Sequence, residues 1–242
     1  MSGENKKPEI VLTSYGRHNE NIEDTFSRIY EGASWKKQRI VVIIPSATNI
    51  PVKVAFSIWN LMFPPNQPVY KMLALGMEVG DAYSNAIEVI LDHPELSQWE
   101  YILTVEHDNV PPPDGVARLI KIMDEHPEYS AVSGLYFTKG ESGVAQIWGD
   151  PKDHILNFRP QPPVPGQLIE CCGTGMGFVL WRISMFKDPK LRKPWFVTKF
   201  GAEGLSTQDL YFWADARKYG YRCAVDCATT VGHYDSTTGI TW

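Results

Sequence analysis

No stretch of about 18 apolar residues occurs anywhere in the chain, so a membrane-spanning helix is not expected. The opening Met-Ser-Gly-Glu-Asn-Lys-Lys-Pro lacks the apolar segment of a secretory signal, and the expectation is a soluble, cytoplasmic protein. Cysteine is scarce, with four in 242 residues. Cys171, Cys172, Cys223 and Cys227 contain no C-x-x-C pair, which argues against a zinc knuckle or a dithiol redox motif and leaves buried free thiols as the expected state. Positive charge is also in short supply. A formal net charge of -5 gives no general basic surface, so nucleic acid is a possible partner that net charge does not support. No internal repeat or low-complexity tract is present.

What the chain does have is length enough for one sizeable α/β domain, together with a regular alternation of strand and helix patterns. Residues 39–45, Arg-Ile-Val-Val-Ile-Ile-Pro, form a nearly continuous β-branched run of the kind covered on both faces in a parallel sheet. A helix is expected over 52–62, a strand over 69–75 and a helix over about 80–91 with Ala82, Ala86, Ile87, Ile90 and Leu91 on one face. Residues 101–105 read as a buried strand, 114–125 as a helix with an apolar stripe at Val116, Leu119, Ile120 and Met123, and 131–137 as another strand. This order predicts a mainly parallel twisted sheet flanked by helices, with right-handed crossovers. Ahead of it, a short strand at 10–13 and a helix at 22–30 are expected to form an N-terminal extension, 1–38, packing on the domain.

The pattern then changes. Residues 139–167 have no sustained period but many glycines and prolines, and a structureless loop of this length is usually functional or disordered. Trp148, His154 and Phe158 favour a shaped binding loop. A strand over 168–172 follows, then Gly173-Thr-Gly-Met-Gly177. Ser206 or Thr207 caps a helix running to about Tyr219, which Gly220 stops. A last strand covers 222–225.

The chemistry-bearing residues cluster where strands end. Glu106, His107 and Asp108 follow the strand at 101–105, and Pro111-Pro-Pro113 force the chain out of the sheet immediately afterwards. Open α/β sheets bind ligands at that edge. Carboxylates gathered there repel one another unless a cation or a proton intervenes, which makes a divalent metal the first expectation.

Four signatures together resemble the inverting glycosyltransferases of the GT-A fold, family-two type, over most of residues 39–235. Pro45-Ser46 resembles the end of that family's nucleotide-binding first strand, and Tyr83-Ser-Asn85 stands where it often has Ala-Arg-Asn. Glu106-His-Asp108 resembles its D-x-D metal motif. Thr207-Gln-Asp209 resembles the Glu-Asp pair that carries the base, and His233 stands where a late histidine often does. The resemblance implies a GT-A domain over 39–242, with a nucleotide-binding half at 39–138 and an acceptor half at 139–242. It implies a metal-dependent transfer from a nucleoside-diphosphate sugar, with UDP as carrier, to an acceptor hydroxyl.

Within that resemblance, Asp108 and His233 hold Mn²⁺ or Mg²⁺, imidazole favouring Mn²⁺. Glu106, longer than the usual aspartate, reaches the ion or instead the ribose or a metal-bound water. His107, on the opposite face of an extended chain, is expected to point away from the ion while remaining on the donor side. Pro45, Ser46, Asp81 and Asn85 contact the donor. Asp209 is the general base. Gln208, an acceptor-side candidate, departs from the family's glutamate and removes a charge beside it. Gly173, Thr174 and Gly175 let backbone approach the acceptor, and Trp195 is an acceptor-side stacking candidate. Two other classes compete. A nucleotidyltransferase usually has a basic, glycine-rich loop after its first strand, and Ser46-Ala-Thr-Asn-Ile-Pro51 is neither. A non-catalytic nucleotide-sugar or glycan-binding module is the alternative, and a modified base in DNA is the minority acceptor.

Overall fold

The computed structural model describes residues 37–65, 67–201 and 204–242. The strand and helix expected at 10–13 and 22–30, and with them residues 1–36 of the N-terminal extension, lie outside these residues. The elements in chain order are β1 (Ile40–Ser46), α1 (Val52–Trp59), β2 (Val69–Leu75), α2 (Val79–Asp92), β3 (Tyr101–Val105), β4 (Asn109–Val110), α3 (Gly115–Glu125), β5 (Ala131–Leu135) and β6 (Ile147–Trp148). They continue with β7 (Leu168–Cys171), β8 (Gly173–Thr174), β9 (Phe178–Arg182), α4 (Ile183–Phe186), β10 (Lys199–Gly201), β11 (Gly204–Ser206), α5 (Gln208–Ala216), β12 (Cys223–Thr230) and β13 (Gly232–His233).

Seven strands form one α/β sheet in the order β2-β1-β3-β9-β5-β12-β7. Neighbours β2, β1 and β3 are parallel, as are β5 and β12. Between these groups β9 runs antiparallel to both β3 and β5, and β7 runs antiparallel to β12 at the edge. The β-branched run of β1 is buried along its whole length, because helices cover both faces of a sheet built from parallel crossovers. Each of those Val and Ile side chains contributes roughly 1.5–3 kcal/mol by leaving water.

Two cores result, one on each face. One face gathers α3 around Val116, Leu119, Ile120 and Met123 against Leu103, Val105 and Leu180. The other packs α2 and α5 against the sheet, with Trp181 of β9 at its centre. Trp181 stacks on Trp213 at 5.4 Å and meets Phe212 edge-on at 5.6 Å, while its Nε1–H donates to Thr104 Oγ1 at 3.1 Å. This aromatic cluster fixes α5 and therefore the residues at its first turn. The four cysteines are free and buried, and Cys171 and Cys223 face each other across β7 and β12 with sulfurs 3.7 Å apart. Gly220 has φ +82°, which stops the short 3₁₀ turn after α5.

Candidate active site

The strand-end residues converge on a cavity of about 330 Å³ at the carboxyl ends of β1 and β3. Its wall is made by Pro45, Ser46 and Ala47 after β1, Met77 and Val79 at the start of α2, Glu106, His107 and Asp108 after β3, and Gln208 at the start of α5. The prolines after β3 act as expected. Only the two residues Asn109 and Val110 pair as a strand, with His233 and Gly232 of β13, before the chain leaves the sheet. That pairing carries His233 from the far end of the sequence to Asp108.

Asp108 Oδ2 is the electrostatic focus. Lys139 Nζ donates to it at 2.6 Å, and His233 Nε2 lies 3.3 Å away. His233 Nδ1 sits 2.7 Å from the Phe137 carbonyl. A carbonyl only accepts, so Nδ1 carries a proton, and Nε2 is the ring nitrogen that faces Asp108 Oδ2. Burial alone would raise the Asp108 carboxyl, but hydrogen bonds from His233 and Lys139 outweigh it and hold the group well below the usual carboxylate range.

Among the described residues no three His, Cys, Asp or Glu side chains converge to enclose a metal ion. The donors that do meet are two, Asp108 Oδ2 and His233 Nε2. Such a pair fits a divalent cation that completes its sphere with phosphate oxygens and water, and does not fit an ion caged by protein alone. Lys139 presently supplies the positive charge there.

Glu106 differs in kind from Asp108. Burial first, and then the charges of Asp108 and Asp209, push its carboxyl up to about 8. It therefore holds a proton near neutral pH, while Asp108 is ionised. The Tyr83 hydroxyl lies within reach of its field but makes no hydrogen bond of ordinary geometry. The backbone is also held, since Glu106 N–H donates to the Gly177 carbonyl at 3.1 Å and Gly177 N–H donates to the Tyr136 hydroxyl at 2.9 Å.

Asp209 sits in the first turn of α5 behind the N-cap Thr207 and is buried. Its Oδ1 accepts from the Thr207 hydroxyl and from Leu210 N–H at 2.8 Å. Burial raises the carboxyl, and hydrogen bonds from Thr207 and from the Leu210 and Asp209 backbone N–H groups work against that rise without cancelling it. The helix N-terminus would lower its basicity, so here burial wins.

Other candidates are distributed unevenly. Pro45, Ser46 and Gln208 line the cavity, Ser46 with its hydroxyl donating to the Asn49 carbonyl at 3.1 Å. His107 lines it too. The chain turns at 107–108 instead of staying extended, so strand alternation does not carry His107 away from its neighbours. Asn85 is exposed on α2, its Nδ2 3.4 Å from Sδ of the cavity residue Met77. Asp81 is exposed on the same helix and outside the cavity wall, and Glu78 caps α2 beside it through Gly80 N–H at 2.7 Å.

Gly173, Thr174 and Gly175 are buried. Thr174 bonds the Gln146 carbonyl at 3.2 Å, and a Cβ on Gly175 would overlap the Tyr136 hydroxyl. Of the three, Gly175 acts on the site by leaving room for Tyr136 to reach Gly177. Trp195 lies in the core against Phe186 at 5.8 Å, away from the cavity wall. Lys139, Tyr136 and Asn109 were not foreseen. Asn109 is fully buried with neither amide atom hydrogen-bonded, and a Cβ on Gly177 would come within 2.6 Å of its Oδ1.

No protein-family model matches the sequence, and no curated protein does. Solved structures match the fold. A197 from STIV superposes with a TM-score of 0.59 at 16% identity, over 82% of this chain and 87% of that one. S. aureus TarS 1-349 matches at 0.45 with 12% identity, over 80% of this chain and 59% of its own. Its complex with UDP-GlcNAc matches at 0.49 with 13% identity, over 80% and 57%. The A197 likeness shows a shared fold; the two TarS superpositions are too loose to carry an argument. No helix among the described residues is long and apolar enough to cross a membrane.

Proposed function

We propose that the protein is an inverting glycosyltransferase of the GT-A type, moving a sugar from a nucleoside-diphosphate sugar, UDP-linked, to an acceptor hydroxyl. One observation carries the reading. An ionised aspartate paired with a histidine ring nitrogen lies beside a cavity at the carboxyl edge of the sheet, and a buried aspartate of raised pKa stands within reach of the same charges. The residues 39–138 supply the donor side in this proposal and 139–242 the acceptor side.

Each residue then has a task. Asp209 Oδ2 takes the proton of the acceptor hydroxyl as that oxygen attacks the anomeric carbon from the face opposite the diphosphate. The bond from the anomeric carbon to the diphosphate breaks, and its electron pair leaves with the nucleoside diphosphate. A raised pKa makes Asp209 a stronger base than an ordinary aspartate. Asp108 Oδ2 and His233 Nε2 would hold Mn²⁺ or Mg²⁺, whose chemistry when bound is to neutralise charge on the departing diphosphate. Lys139 leaves Asp108 in that state and adds its ammonium to the same phosphates. Glu106, protonated at neutral pH, donates a hydrogen bond to the ribose or to a bound water. Pro45, Ser46, His107 and Met77 shape the donor cavity.

A non-catalytic nucleotide-sugar-binding module is the second reading, favoured by the neutral Gln208 on the cavity wall and by a Glu106 that holds its proton. A panel of nucleotide sugars separates the two. The transferase reading expects one donor to raise thermal stability in the presence of Mn²⁺ and to release nucleoside diphosphate. Stabilisation without any release, with water or any acceptor tested, supports the module.

A further inference from the structure

A second cavity, of about 790 Å³, opens beside the loop that follows α4. Four cations line it, Lys187, Lys190, Arg192 and Lys193, against one acid, Asp188. In a chain of net charge -5 this concentration of positive charge is local, confined to seven consecutive residues. The acid is already committed, its Oδ1 accepting Lys190 N–H at 2.9 Å and its Oδ2 the Tyr221 hydroxyl at 2.8 Å. Lys193 reaches Glu88 at 3.5 Å across an exposed pair. Neither Lys187 nor Lys190 has an acidic side-chain partner among the described residues. Arg192 lies 3.4 Å over the Tyr211 ring and bonds its carbonyl, which leaves a buried Nε without an acceptor.

The loop is also tied to the elements of the active site. Arg192 N–H donates to Asp215 Oδ2 at 3.0 Å near the end of α5, the helix whose first turn carries Asp209. Six residues of helix separate Asp215 from Asp209, about 9 Å. Further along, Phe196 N–H donates to Ser84 Oγ on α2 at 3.2 Å, and the Thr198 hydroxyl bonds Glu78 at 2.8 Å. The cavity lies at the far ends of these helices, its Leu91 twelve residues, about 18 Å, along α2 from the donor-cavity residue Val79.

We propose that this cavity is a binding site for a ligand carrying two or more phosphate charges, separate from the donor cavity. Lysines bind phosphate as point charges, and Lys187 and Lys190, side by side on this cavity without an acidic partner, leave positive charge that an anion of two or more charges neutralises at once. The phosphates belong either to a small polyphosphate or to a phosphodiester strand, which share this chemistry.

The test is titration of the whole protein with tripolyphosphate and with single-stranded oligonucleotides of 4 and 12 nucleotides, by calorimetry and fluorescence anisotropy at several salt concentrations. The double variant Lys187→Gln/Lys190→Gln removes two exposed charges outside the donor cavity. At least one probe should bind wild type, and the variant should bind it at least about tenfold more weakly, with the strand's log–log salt slope reduced by about 1.4 for two lost contacts. Asp108→Asn should leave that binding unchanged. Oligonucleotide affinity rising with length identifies a strand, and equal or tighter tripolyphosphate binding identifies a compact phosphate cluster. Failure of every probe to bind at 50 mM salt, wild-type affinity in the double variant, or loss of binding in Asp108→Asn overturns the proposal.

Discussion

Lys139→Met should make the protein bind Mn²⁺ more tightly in the absence of any donor. The ammonium lies 2.6 Å from the one Asp108 oxygen that also faces His233. A cation entering between Asp108 and His233 must therefore displace it. A hydrogen bond between charged groups is worth about 1.5–3 kcal/mol. Side-chain exposures of 35% for Lys139 and 20% for Asp108 place this pair at the weaker end, because water rehydrates the released ammonium. A gain of about 1.5 kcal/mol corresponds to roughly tenfold tighter binding. Free Mn²⁺ measured by electron paramagnetic resonance during titration reads this directly. Lys139→Arg keeps the charge and should stay near wild type. Mn²⁺ affinity in Lys139→Met that equals or falls below wild type refutes the competition for Asp108 Oδ2.

Glu106→Gln should flatten the dependence of stability on pH. The folded-state carboxyl titrates at about 8 against an ordinary 4.5, so the folded protein holds a proton that the unfolded chain has lost between these values, and stability from this group falls as pH rises through that window. The full shift corresponds to about 5 kcal/mol, but Glu106 keeps an opening onto the cavity, and about 2 kcal/mol is expected. The variant should melt about 4–8 °C higher than wild type at pH 8.5 and close to it at pH 5, measured without divalent cation; parallel profiles would contradict the shift. Trp213→Ala removes the α5 ring that stacks on Trp181 and should cost about 3–5 kcal/mol in urea unfolding. A loss under 1 kcal/mol would mean that the aromatic cluster does not anchor that helix.

Sequence carried the scaffold well where local pattern is strong. The strands at 69–75 and 101–105 form at those bounds, the second because its β-branched and aromatic residues fit a pleated, buried surface, the first as a largely exposed edge strand. The helix expected at 80–91 forms as Val79–Asp92. Strand direction is a different matter: the four apolar residues from Phe178 to Trp181 say nothing about which way they run, and only the sheet order reveals β9 inserted antiparallel between β3 and β5.

The site was legible to the extent that its members end strands or begin helices. Asp108 and His233 come together through the β4–β13 pairing, and Asp209 lies in the first turn of α5. Lys139 left no local signal, because a lysine in a glycine-rich stretch looks solvated until the fold brings it 31 residues back along the chain. Trp195 illustrates the opposite error, since a tryptophan in a proline-flanked loop reads the same whether it stacks on a ligand or fills the core. Tyr136 and Gly177 were missed for a third reason: their link to Glu106 runs through backbone, which side-chain pattern does not report.

The central claim is that Asp209 serves as base to a donor held by Asp108 and His233. Its direct test is Asp209→Asn, assayed with a donor that wild type turns over. Asparagine preserves the hydrogen bonds accepted at Oδ1 and removes the proton acceptor. Donor binding, measured by calorimetry with Mn²⁺, should stay within about twofold of wild type, while nucleoside diphosphate release in the presence of acceptor should fall by about 10²–10⁴. Turnover at the wild-type rate in Asp209→Asn would contradict the account.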